Sequence, residues 1–138
     1  MPNEHRAQIS TEFLIIVSFV TLVIIGLLAV AFYYSATIQD QLRFTNLDRF
    51  ARSVVSHAEE IYYAGEPSRI TIRPYLPAGV QSITVGADYI LVSISTSSGV
   101  NILSYSSAVP LSGSISFNSG VKRIQLVAQD KHVAIIEG

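Results

Sequence analysis

Glu12 is a carboxylate on the border of a charge-free run. Between it and Asp40 the chain has no Asp, Glu, Lys, Arg or His. Such a group has two kinds of work open to it. In the first turn of a helix it complements the positive end of the helix dipole. In an apolar setting it gains much from a cation and loses much without one. "RAQISTEF" sets Arg6, Ala7, Gln8 and Ser10 just ahead of it: a basic residue, a small one, then two polar ones. A basic-small-polar series immediately before an apolar helix is more specific than a lone helix-start acid.

Other chemistry is sparse. With no cysteine, disulfides and thiolate metal sites are excluded. The glycines fall in turns, not at a strand-to-helix junction that cradles phosphate. His5, His57 and His132 are too scattered for a metal site, and no serine sits in a nucleophile-elbow pattern. His57 reads as a helix-surface residue, and Glu59 and Glu60 as a solvated face or contacts between subunits. Lys122, Arg123 and Lys131 read as a small basic scatter. A net charge of −1 argues against electrostatic capture of nucleic acid. No Asn-x-Ser/Thr acceptor occurs. The expectation is a non-enzymatic protein without cofactor or metal.

The elements that would position Glu12 are set by hydropathy. The chain is 49% hydrophobic and only 14% charged, so much of its surface is expected to meet something other than water. Phe13 to Tyr34 supplies the roughly 20 apolar residues that a helix needs to cross a bilayer. Tyr33 and Tyr34 stand where an interfacial anchor belongs. A buried soluble helix would need a larger domain around it. A cleaved secretory signal has a shorter apolar region, of about 7–15 residues.

Beyond the run, Leu47, Phe50, Ala51, Val54, Val55, Ala58, Ile61 and Tyr62 recur at helical steps. Asp48, Arg49, Arg52, Ser53, Ser56, Glu59 and Glu60 fill the other side. Gly65 and Pro67 mark a stop. The spacing predicts one helix over residues 8–64, roughly 85 Å long at the usual rise. Its first half is apolar all round. Its second half has one apolar stripe and needs a partner on one face only.

After Pro67 the period becomes two. Ile70 and Ile72, Ile83 and Val85, Ile90 to Ile94, Ile115 and Phe117, Ile124 to Ala128, and Val133 and Ile135 predict roughly six or seven short, mostly antiparallel strands. Turn signals separate them at 77–79, 86–88, 97–99, 118–120 and 129–131. The apolar face of the sheet is expected to be covered by the helix stripe, and the other face to be rich in Ser and Thr. The fold class predicted is α+β: a long N-terminal helix against a small antiparallel β-sheet head.

On Gln8, Ser10 and Glu12 the chain resembles the archaeal type IV pilin-like proteins with class III signal peptides, whose processing motif is Gln-x-Ser-x-Glu before an apolar segment. The long helix and small β head extend the resemblance along the chain, and "YLPAGVQSITV" (75–85) looks like the first β segment of many such proteins. Where the motif usually carries Leu four residues after the Glu, this chain has Ile16.

The resemblance implies a leader, 1–7, cut from the mature chain between Ala7 and Gln8 by a membrane prepilin peptidase. It implies a pilin-type helix, 8–64, transmembrane over about 13–34 before assembly, and a β-rich head, 65–138. Glu12 would then be the fifth mature residue, able to meet the new amino group on Gln8 of a neighbour. The implied partners are further copies in a helical filament, the peptidase, a pilus assembly ATPase with its membrane platform, and lipid before assembly. The implied localisation is the cell membrane as precursor, then an extracellular surface filament, with cell adhesion as the expected task. An inward N-terminus rests on the resemblance, because the leader's Arg6 is opposed by Glu4, and Arg43, Arg49 and Arg52 lie beyond the apolar run. Two other readings share this processing: a membrane-anchored binding protein, and a minor pilin outside the main filament.

Overall fold

The computed structural model describes residues 4–138, with side chains from Ile9 onward. A single helix, α1 (Glu4–Ala64), opens the described chain and starts earlier than the residue 8 that the spacing predicts. It runs on because no proline interrupts it. It stops at Gly65, whose φ of 78° is a conformation glycine adopts without strain. The Gly65 N–H closes the last turn on the Ile61 and Tyr62 carbonyls, both at 3.2 Å. By contact the chain divides into one unit that ends at Ile38 and a second, Gln39–Gly138. The second half of α1 therefore belongs with the strands.

Among the described residues α1 is succeeded by nine strands: β1 (Arg69–Ile72), β2 (Tyr75–Leu76), β3 (Val80–Val85), β4 (Tyr89–Thr96), β5 (Gly99–Ser106), β6 (Leu111–Gly113), β7 (Gly120–Val121), β8 (Ile124–Gln129) and β9 (His132–Glu137). They form sheets of order β1-β8-β9-β6, β2-β7 and β3-β4-β5. Every pairing is antiparallel except β6 with β9. Gly113 is required there. Its φ is 118°, and a Cβ on it would collide with the Ile135 carbonyl of the parallel neighbour.

The small β2–β7 sheet continues the β1–β8 ladder in one register. Ile72 faces Ile124, and Tyr75 faces Val121. The break between them falls at Pro74, which has no N–H to give. Its carbonyl still accepts from Lys122 N–H at 2.9 Å. Residues on either side of the break therefore stay opposite each other, Arg73 against Arg123.

The fold class is α+β, with a long apolar helix and small, mostly antiparallel sheets. The helix stripe covers the sheets as its spacing requires. Leu47, Phe50, Val54, Ala58 and Ile61 share one buried cluster with Ile72, Leu76, Ile90, Val92, Ile94, Ile124, Leu126 and Val133. Burial of that apolar surface is the main stabilising force in this unit.

Two strand expectations are corrected. Residues 114–117 form no strand. Ile115 is buried but Phe117 is 54% exposed, whereas a half-buried strand would turn both to the same side. Gly99–Ser106, where the period-two pattern predicts no strand, is an eight-residue edge strand.

Candidate functional site

In the first unit every described side chain from Ile9 to Ile38 is exposed. Phe13, Phe19, Leu22, Leu27 and Phe32 are among them, the last 75% exposed. None of the most apolar stretch is buried by the described residues, and the helix is long and apolar enough to cross a membrane. Its hydroxyls fit such a setting. Thr21 donates to the Val17 carbonyl at 2.7 Å, and Thr37 to that of Tyr33. Each is satisfied inside its own helix, as lipid requires. Tyr33 and Tyr34 pack edge to face, with ring centres 5.9 Å apart.

Ser10 and Glu12 stand exposed on this helix. Among the described residues Glu12 has no ion-pair partner. The helix dipole is the remaining stabiliser of its charge within the described chain, and Glu12 lies past the first turn, where that effect has faded. The side chains of Arg6, Ala7 and Gln8 lie outside the described residues.

The second unit is fastened to its part of α1 at named points. Asp40 accepts from the Ser97 N–H at 3.0 Å and from its hydroxyl at 2.5 Å, at the β4–β5 turn. These bonds hold the Asp40 carboxyl below its usual pKa, with slight desolvation opposing and Arg43, at 3.6 Å, assisting. Glu59 accepts from the Ala108 N–H at 3.0 Å. Glu59 is therefore half-buried and engaged with the loop after β5 in addition to facing water. Asp48 takes the Arg52 guanidinium at 2.8 and 2.9 Å. Burial raises the Tyr105 hydroxyl pKa, and the charge of Asp48 adds to it.

Lys122 departs from the sequence reading. It is not surface scatter but buried, with Nζ 2.9 Å from Glu137 Oε1 and also bonded to the Ser116 hydroxyl. Ser116 donates its N–H at 2.6 Å and its hydroxyl at 2.7 Å to the same carboxylate. Desolvation works against the Glu137 charge, but Lys122 and Ser116 outweigh it and hold the carboxyl below its usual range. The cluster ties the 114–119 segment to β9. Its hydrogen bonds are made among its own three members.

His57 is half-buried, its Nδ1 2.6 Å from the Ser53 carbonyl, which fixes the proton on that nitrogen. Among the described residues no three His, Cys, Asp or Glu side chains gather as a metal site. The feature with the most to explain is thus the uncovered apolar helix with Ser10 and Glu12 at its start. Neither family models, nor curated proteins, nor solved structures give a match to this chain.

Proposed function

We propose that the protein is a structural subunit of an archaeal type IV pilus-like surface filament with an adhesive task. In this reading a prepilin peptidase cuts between Ala7 and Gln8, and an assembly ATPase with its membrane platform moves the subunit out of the bilayer. The observation that carries it is the apolar helix surface from Ile9 to Ile38, which no described residue covers. At its start stands Glu12, with no ion-pair partner among the described residues.

That surface is stable only against lipid or other helices. One uninterrupted helix serves both, first in the membrane and then in a filament core built from copies of itself. Glu12 supplies the register. A carboxylate in that core needs a cation, and processing creates one on the Gln8 amino group, with an ordinary pKa of about 7.7–8.0. Pairing between the Glu12 of one copy and the Gln8 amine of the next sets their stagger.

The test is to shear surface material from cells that make the protein, image it, and sequence the subunits by mass spectrometry. The expected result is filaments whose subunit begins at Gln8. A protein confined to the membrane fraction, with its first seven residues intact, contradicts the proposal.

A further inference from the structure

Of the nine Lys and Arg residues, Arg6 lies outside the described side chains. Arg43, Arg52 and Lys122 each have a carboxylate partner. Arg49, Arg69, Arg73, Arg123 and Lys131 have none among the described residues, and the first four are not randomly placed. Along β1 and the residues after it, Ile72 is buried, while Arg69, Thr71, Arg73 and Tyr75 are exposed. Across the ladder, Ile124 is buried and Arg123 exposed. Arg73 and Arg123 thus stand opposite each other on the outer face of a continuous register. Two like charges directly opposed on one face destabilise a sheet.

The side chains beside them across the ladder are neutral. Thr71 faces Gln125, which faces Ile136 on β9. Thr71, Arg123, Gln125 and Ile136 line a shallow depression with Gly138. Glu66 and Asp130 gather with Lys131 around the β8–β9 turn. Tyr75, 51% exposed, comes next on the same side as Arg73, and Arg49 of α1 shares a groove with Tyr75 and Pro74.

We propose that this strip binds an acidic polysaccharide. A carboxylate or sulfate group sits between the Arg73 and Arg123 guanidinium groups, and a sugar ring lies against Tyr75. A guanidinium offers paired N–H donors that match either anion in a two-pronged contact. An anion between the two arginines also removes their mutual repulsion. Thr71 and Gln125 supply short-range hydrogen bonds for sugar hydroxyls, and the Tyr75 face is the apolar platform that a sugar's C–H face requires. Single-stranded nucleic acid is served by rows of stacking rings and many phosphate contacts. Here one ring stands among arginines in a chain of net charge −1. The site gives the adhesive part of the proposed function a target class, but it is a property of the single subunit and is measured without filaments.

The experiment uses the full chain in neutral detergent micelles. Binding is measured to dextran sulfate, polygalacturonate, neutral dextran, oligothymidylate and anionic vesicles at one fixed salt concentration. Both acidic polysaccharides are expected to bind, and neutral dextran not to. Removing one charged hydrogen-bonding partner weakens binding about tenfold, so R73Q and R123Q should each show that loss, while Tyr75→Ala should lose several-fold. Lys131→Gln removes the same charge outside the strip and should bind as wild type.

Because R73Q also relieves the repulsion with Arg123, it should melt no lower than wild type, so lost binding will not reflect unfolding. The proposal is overturned by absent polysaccharide binding or by an equal loss in Lys131→Gln. It is also overturned if oligothymidylate or vesicles bind more tightly than the polysaccharides. Binding intact in a protein that never forms filaments would count against the filament reading alone.

Discussion

Lys122 and Glu137 form an ion pair with Nζ 2.9 Å from Oε1, and both residues occupy inward-facing positions of the sheet. Lys122 is in phase with Ile124 and Leu126, and Glu137 with Val133 and Ile135. The two inward charges meet at the same end of the β8–β9 pair, where Ile124 faces Glu137. Removing one partner of such a pair leaves the other charge uncompensated. Lys122→Met is expected to lower stability by about 2 kcal/mol, below the roughly 3–5 kcal/mol of fully buried pairs because Glu137 keeps some access to water. The double variant with Glu137→Leu should recover part of that loss. Thermal melts of the two variants beside wild type check the order.

The same carboxylate sets an acid limit. Glu137 and Asp40 both have folded-state pKa values below their ordinary ones. Their stabilisation is therefore fully present above the ordinary carboxylate pKa of about 4 and is lost as pH falls through the lower folded values. Stability should be flat with respect to these groups from about pH 6 to about pH 5 and fall below about pH 4. In Lys122→Met/Glu137→Leu the fall should be shallower, which circular dichroism melts across pH will show.

Much of this was legible in sequence, because helical spacing is a strong signal. The stripe from Leu47 to Ile61 names the buried face of α1, and Phe13–Tyr34 names the stretch left uncovered. The strands were less legible. Gly99–Ser106 hides because β5 is an edge strand whose outer positions, Val100 and Ile102, are as apolar as its inner ones, Leu103 and Tyr105. Ser114–Phe117 alternates like a strand, but the Ser116 N–H goes to the Glu137 carboxylate and not to a ladder. Lys122 could have been placed by phase with Ile124, a signal that its charge obscured. The opposition of Arg73 and Arg123 depends on long-range register and lies beyond any local pattern.

The core predicts where the chain can be cut. Fragment 39–138 retains Asp40, Arg43 and the whole helix stripe, and is expected to fold. Fragment 69–138 loses Leu47, Phe50, Val54, Ala58 and Ile61 from the common cluster and is expected to aggregate. Within the full chain, Phe50→Ala should cost about 3–5 kcal/mol, as fully buried aromatics do. Phe32→Ala should leave the melting of the second unit unchanged. Size-exclusion chromatography and chemical denaturation distinguish these outcomes.

Glu12 carries the central claim. If it serves only as a charge near the helix start, Glu12→Gln should cost well under about 1 kcal/mol and change nothing in assembly. If it pairs with a neighbour's Gln8 amine, the variant should still be cleaved and inserted but should be excluded from filaments. The most direct measurement is co-expression of wild type and Glu12→Gln, with mass-spectrometric counting of each in the filament and membrane fractions. The account predicts strong depletion of processed Glu12→Gln from filaments and its persistence in the membrane. Incorporation of both in equal proportion would contradict it.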